Sequence, residues 1–166
     1  GLQGSDYNDM LNLLSNADDY KYNLLTLPGL YSTSYSSQIT TAINNAQTRG
    51  DYMVIADLVK YGSTLDGATN QAALANSSYA ASYWPWVRTV DPDTGKNVWV
   101  PASTVIPGVY AFTDNSSEPW FAPAGINRGG LNTVIQAERK LSATNRDTLY
   151  YANVNPIATF PGTGIV

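Results

Sequence analysis

The chain has 166 residues, 43% of them hydrophobic and only 13% charged, with a net charge of −4 and a pI of about 4.5. That length allows one domain with a real core, and the charged share is about half the roughly 25% usual in soluble domains, so the surface must be largely neutral and polar. Histidine and cysteine are both absent and no Lys/Arg run occurs, which removes disulfides, thiolate chemistry, the usual zinc ligands, the side chain best suited to proton transfer near neutral pH, and the clustered cations that grip nucleic acid or anionic lipid.

The first stretch, Ser5 to Leu14, has a helical pattern: Tyr7, Met10, Leu11 and Leu14 fall at i, i+3, i+4 and i+7, with Ser5 or Asp6 as cap. It reads as a helix over 5–15 appended to the main domain. Tyr22 to Leu27 reads as a short buried strand ended by Pro28-Gly29. Ile39, Ala42, Ile43 and Ala46 then make one apolar stripe, after serines able to cap and before Gly50, which suits a left-handed C-terminal cap. Tyr52 to Val59 is a near-continuous apolar run. Strand, helix and strand in this order predict a βαβ unit with parallel strands.

Gly62 to Gly67 is a polar turn, followed by a short helix predicted over Ala68 to Ala75. Tyr79 to Val87 and Val98 to Val100 flank Asp91-Pro-Asp-Thr-Gly95, which predicts an aromatic-rich β-hairpin. Pro85 inside the first arm calls for an edge or a bulge. Ser103 can cap a helix with Pro107 in its first turn. Glu118 to Gly130 is irregular, Leu131 to Leu141 is open between strand and helix with Thr133-Val-Ile135 favouring a strand, and Asn145 can cap a last helix through Tyr151. Ile157 to Val166 is strand-like, interrupted by Pro161-Gly162. The fold class is α/β: a mixed sheet with helices packed on it. The longest apolar runs are too short to span a bilayer. Gly1 in place of Met, and a stop within the strand-like Gly164-Ile-Val166, read as cuts inside a longer protein.

The chemical constellations are thin. The loop Pro28 to Tyr35, between strand and helix, has one Gly and no Lys, so it is neither a Walker loop nor a G-x-G-x-x-G turn. Asp91 to Gly95 departs from a calcium loop, with Gly95 at its fifth position and Ala102 where a bidentate Glu belongs. Lys60, Lys96 and Lys140 sit in no S-x-x-K pattern. Paired carboxylates such as Asp114 and Glu118 could serve glycoside hydrolysis, but they lie in turn-like sequence where capping and solvation explain them. Four Trp and twelve Tyr fit a sugar-binding surface, but core or subunit interface is the more economical reading. Tyr83-Trp-Pro-Trp86 with Trp99 is expected to pack across strands. No catalytic, cofactor-binding or metal-ligating residue is assigned.

From Tyr79 onward the chain resembles the contractile tail sheath proteins of phages, of the T4-like kind. The resemblance rests on Ser78-Tyr-Ala-Ala-Ser-Tyr-Trp-Pro-Trp-Val87, on Val100-Pro-Ala-Ser103 with Gly108-Val-Tyr-Ala111, and on Trp120-Phe-Ala-Pro-Ala-Gly125 followed by Asn127-Arg128-Gly129. Leu149 to Ile157 and Phe160 to Ile165 complete it. Ile106-Pro107 departs from the small residues usual in the family and is expected to shift the helix start. The resemblance implies one α/β core region, residues 1–166, of a longer subunit that polymerises helically around a tail tube and contracts to drive the tube through the host envelope. Its implied partners are copies of itself, the tail tube protein, and baseplate and tail terminator proteins, with no direct nucleic acid and no membrane insertion. It also implies terminal strands exchanged between neighbours, from end regions outside this chain. The aromatic hairpin and the Trp120 to Gly125 segment are expected to be mainly structural. The competing readings are a virion-associated carbohydrate-binding module using Trp84 and Trp86, and a small-molecule enzyme with a pocket at Pro28 to Ser34.

Overall fold

A computed structural model describes residues 3–166; Gly1 lies outside the described residues. Four parallel strands form the main sheet in the order β1-β2-β3-β7, from β1 (Leu24–Tyr31), β2 (Met53–Asp57), β3 (Ala80–Trp84) and β7 (Asn155–Pro156). The predicted βαβ unit is β1, α2 (Ser32–Arg49) and β2. One face of α2 buries Ile39, Ala42, Ile43 and Ala46, as the stripe requires, and each buried isoleucine contributes about 1.5–3 kcal/mol. Gly50 ends the helix at φ 74°, and its N–H bonds the Ala46 carbonyl at 2.8 Å. A side chain there would be strained.

The helix α1 (Gly4–Leu14) packs on α2. Three polar side chains of α2 donate to α1 backbone carbonyls: Gln38 Nε2 to Gly4 at 3.3 Å, Asn45 Nδ2 to Leu11 at 3.3 Å and Arg49 Nη1 to Leu14 at 2.6 Å. The nearly constant offset of 34, 34 and 35 residues sets the two helices running in the same direction. Leu11, 1% exposed, is the apolar anchor of this contact.

A second, antiparallel sheet has the order β5-β4-β6, from β4 (Val87–Val90), β5 (Asn97–Val100) and β6 (Val134–Ala137). A 3₁₀ turn (Ala102–Thr104) and α4 (Ile106–Ser116) join the two sheets, sharing a core with Ile55, Val87 and Ile157. The helices α3 (Leu65–Ala72) and α6 (Ala143–Tyr151) close a further core around Trp84, Leu149 and Val154. The helix α5 (Gly125–Arg128) is one turn, and β8 (Thr159–Phe160) pairs with β9 (Gly164–Ile165) in a terminal hairpin.

The fold class stands as read, with local corrections. β1 does not stop at Pro28-Gly29; it bulges there and resumes at Leu30, which is 3% exposed. An edge strand tolerates proline because the missing N–H removes no ladder bond. α3 begins earlier than expected, because Thr64 Oγ1 accepts from Gly67 N at 3.1 Å. The arm predicted from Tyr79 to Val87 is two strands in different sheets, divided at Pro85, and the hairpin itself is β4–β5. Its turn is the expected one: Gly95 N bonds the Asp91 carbonyl at 2.8 Å, and Asp91 N bonds the Lys96 carbonyl at 2.8 Å. The cap of α6 is Ser142, with Asn145 returning the bond as its reciprocal partner. Leu131 to Leu141 holds a strand, as Thr133 to Ile135 favours.

Candidate assembly surface

Two side chains the sequence left unlinked meet inside the molecule. Asp57, at the end of β2, is 5% exposed, and Ser103, in the 3₁₀ turn, is 1% exposed. Ser103 Oγ donates to Asp57 Oδ2 at 2.6 Å, and its N–H donates to Oδ1 at 3.3 Å. Ser103 was expected to cap a helix; it instead ties the α4 block to the parallel sheet. Burial pushes the Asp57 carboxyl up to about 6, and the two Ser103 bonds hold it from going further. The signal available in the sequence was a lone Asp closing the apolar run 52–56.

The aromatic groups separate into buried and exposed sets. Trp84 is 3% exposed and belongs to the core under α3 and α6. Trp86 is half-buried and donates its indole N–H to the Val59 carbonyl at 2.9 Å. Tyr61 lies between Trp86 and Trp99, with ring centroids 5.9 and 5.2 Å away, so the cross-strand cluster forms around Tyr61 and excludes Trp84. Both tryptophans named for sugar binding are thereby engaged in packing.

The segment Trp120 to Gly125, expected to be structural, stands at the surface: Trp120 is 76% exposed, and Phe112, Phe121 and Ile126 are 53, 43 and 60% exposed. Its shape is nevertheless specified locally. Arg128 Nε donates to the Ala122 carbonyl at 3.0 Å, and its guanidinium lies 5.2 Å from the Phe121 ring centre. Gly125 has φ 78°, and a Cβ on Gly129 would come within 2.8 Å of the Gly125 nitrogen. The glycines and the arginine of this motif thus specify the shape of a loop that displays the Trp120 indole to solvent. Beneath it lies a cavity of about 250 Å³, bounded by Ile106, Val109, Leu131, Ile157 and Phe160.

The chemical candidates do not converge. Asp114 and Glu118 are both exposed near the end of α4, and Lys60, Lys96 and Lys140 are exposed. No group of three or more His, Cys, Asp or Glu suited to a metal occurs among the described residues. The span Pro28 to Ser34 is not a loop, because β1 runs to Tyr31 and α2 begins at Ser32, whose side chain is buried.

Phe112, Trp120, Phe121 and Ile126 thus leave aromatic and aliphatic side chains exposed, and comparisons with known proteins show what the chain is similar to. A chain from the cryo-EM structure of the anti-feeding prophage baseplate superposes with a TM-score of 0.74 over 99% of this chain and 42% of that one, at 24% identity, and so shares the fold. The tail sheath protein of Vibrio phage KVP40 is 33% identical over 116 residues, 68% of this chain and 17% of the relative. The tail sheath protein of Enterobacteria phage T4 is 33% identical over 112 residues, again 68% of this chain and 17% of the relative. This chain therefore spans about one sixth of the length of the curated relatives it matches. The family model of the phage tail sheath protein central domain matches residues 3–166, and the chain belongs to that family.

Proposed function

We propose that this chain is the α/β core region of a structural subunit of a contractile phage tail sheath. Copies of the subunit polymerise helically around the tail tube in the virion, after assembly in the host cytoplasm. Contraction exchanges one set of intersubunit contacts for another of lower energy, with subunits moving mainly as rigid bodies, and drives the tube through the host envelope for genome delivery. Tail tube, baseplate and tail terminator proteins are the further partners of this reading. No catalytic step is assigned to it.

The observation that carries the proposal is the family match over residues 3–166. The surface supports it: low charge limits self-repulsion between copies, and Trp120 at 76% exposure has the character of an interface anchor. Electron microscopy of a longer protein containing this chain tests it, with tubes expected and dispersed particles under all assembly conditions counting against it. The 166-residue chain by itself is expected to remain monomeric or to associate weakly, which sedimentation checks.

A further inference from the structure

The parallel sheet has two poles of opposite character. Met53 opens β2 and Asp57 closes it, so groups beside Met53 and groups just past Asp57 are separated by about 13 Å of strand. At the opening pole a groove runs beside α4. Its two halves, about 420 and 200 Å³, share Met53, Tyr110 and Asp114. Asp114 is the only charged side chain among the described residues that line it, and no ion pair engages it among the described residues. The rest of the lining is uncharged, with Leu24, Pro107 and Ala111 beside Asn23 at one end and Pro119 and Phe121 beside Thr113 at the other.

At the closing pole the fold gathers cations that are distant in sequence. Gly62 N donates to Glu138 Oε1 at 2.8 Å, and Arg139 Nε lies 3.9 Å from the same oxygen. The turn Lys60 to Gly62 therefore sits beside Arg139 and Lys140, all three basic residues exposed. The Glu138 side chain is only 6% exposed, so the cations dominate the outer face. Tyr61, 47% exposed, projects among them and is braced by Trp86 and Trp99.

We propose that copies of this chain associate head to tail, the Lys60–Tyr61 turn and Lys140 of one copy meeting the Asp114 groove of the next. This rests on the self-assembly reading above and names the surfaces that carry it. An aromatic tip ringed by positive charge complements a groove of apolar and neutral polar side chains that holds one carboxylate without an ion pair among the described residues. With only 13% of residues charged, a face carrying Lys60, Arg139 and Lys140 and a groove carrying Asp114 are distinctive on this surface. Because the two faces are unlike and lie at opposite poles, their union leaves a free groove at one end and a free tip at the other, and the contact propagates.

The absence of cysteine makes directed cross-linking clean. Single variants Ala111→Cys, in the groove, and Ser63→Cys, beside the Lys60–Gly62 turn, keep every charge of the proposed contact. Checked for folding by circular dichroism, they are oxidised each alone and as a mixture of the two reduced proteins, at concentrations high enough to populate a weak complex. The mixed cross-link is expected to form about tenfold faster than either like pair, to slow as salt is raised, and to slow again when Lys60→Glu accompanies Ser63→Cys. The double variant Ala111→Cys/Ser63→Cys is expected to give a ladder beyond dimers. Equal rates for like and unlike pairs, or a double variant that stops at dimers, overturns the pairing. Tubes of the longer protein without preferential cross-linking would remove this contact and leave the sheath reading; a ladder without tubes would do the reverse.

Discussion

Ser103 Oγ and Asp57 Oδ2 are 2.6 Å apart in a part of the molecule almost closed to water. Asp57 ends the second strand of the parallel sheet and Ser103 sits in the turn that leads to α4. One hydrogen-bonded pair thus couples the layer of the βαβ unit to the helix whose flank forms the acidic groove.

The pair predicts an unusual pH dependence. Folded Asp57 loses its proton near pH 6, against an ordinary value of 3.8. The folded chain binds more protons than the unfolded chain between these values, so this group's contribution to stability falls as pH rises from about 4 to about 6 and is level on either side. A shift of this size corresponds to up to about 3 kcal/mol. Asp51 and Asp91, whose carboxyls are held low by Arg49 and by Thr94, act in the opposite direction. The comparison is therefore between wild type and Asp57→Asn: urea midpoints from pH 4 to 7 are expected to show the variant gaining on wild type as pH rises, and parallel curves would refute the assignment.

Ser103→Ala removes the shorter of the two donors and leaves a buried carboxylate oxygen without that partner. A cost of about 1–3 kcal/mol at pH 7 is expected. The Asp57 midpoint should also move above about 6, because both Ser103 bonds lower it. Carboxyl carbon shifts followed by NMR titration check the direction, and a downward move would contradict the account.

The N-terminal helix is held by buried Leu11, by half-buried Tyr7, Met10 and Leu14 packed beside it, and by a set of polar clamps. Leu11→Ala, at a site 1% exposed, is expected to cost about 2–4 kcal/mol, read from denaturant unfolding. Arg49 also donates to the Tyr20 carbonyl at 2.9 Å and to Asp51 Oδ2 at 2.7 Å, and its guanidinium lies 4.6 Å from the Tyr22 ring centre. Arg49→Lys cannot reproduce that planar fork. Hydrogen exchange should show protection lost in α1 and retained in β2.

Trp84 and Trp120 should behave oppositely. Trp84→Ala empties a core site and is expected to cost about 3–5 kcal/mol. Trp120→Ala, at a side chain 76% exposed, should change stability by no more than about 0.5 kcal/mol while reducing tube formation by the longer protein. Circular dichroism melts and electron microscopy on the same variants separate the two effects.

The elements set by local rules were legible in the chain. The apolar stripe Ile39 to Ala46 and Gly50 specify α2 through periodicity and a left-handed cap, and Asp91 to Gly95 specifies the hairpin turn through chemistry contained in five residues. Pro85 flagged an irregularity, but not that the chain leaves one sheet there for another, since that choice depends on partners in β2, β6 and β7. The ordered motifs from Ser78 to Ile165 together carried the family resemblance; the exposure of Trp120 was hidden, because aromatic residues serve cores and interfaces equally well. Low charge and the missing His and Cys were fixed by composition alone. The acidic groove, the basic tip and the Asp57–Ser103 bond were decided only by the tertiary structure, which joins Asp57 to Ser103 and Gly62 to Glu138 across 46 and 76 positions and sets Leu24 beside Asp114 in one groove. No local pattern encodes contacts of that separation, since they form only when the strands carrying them have already packed.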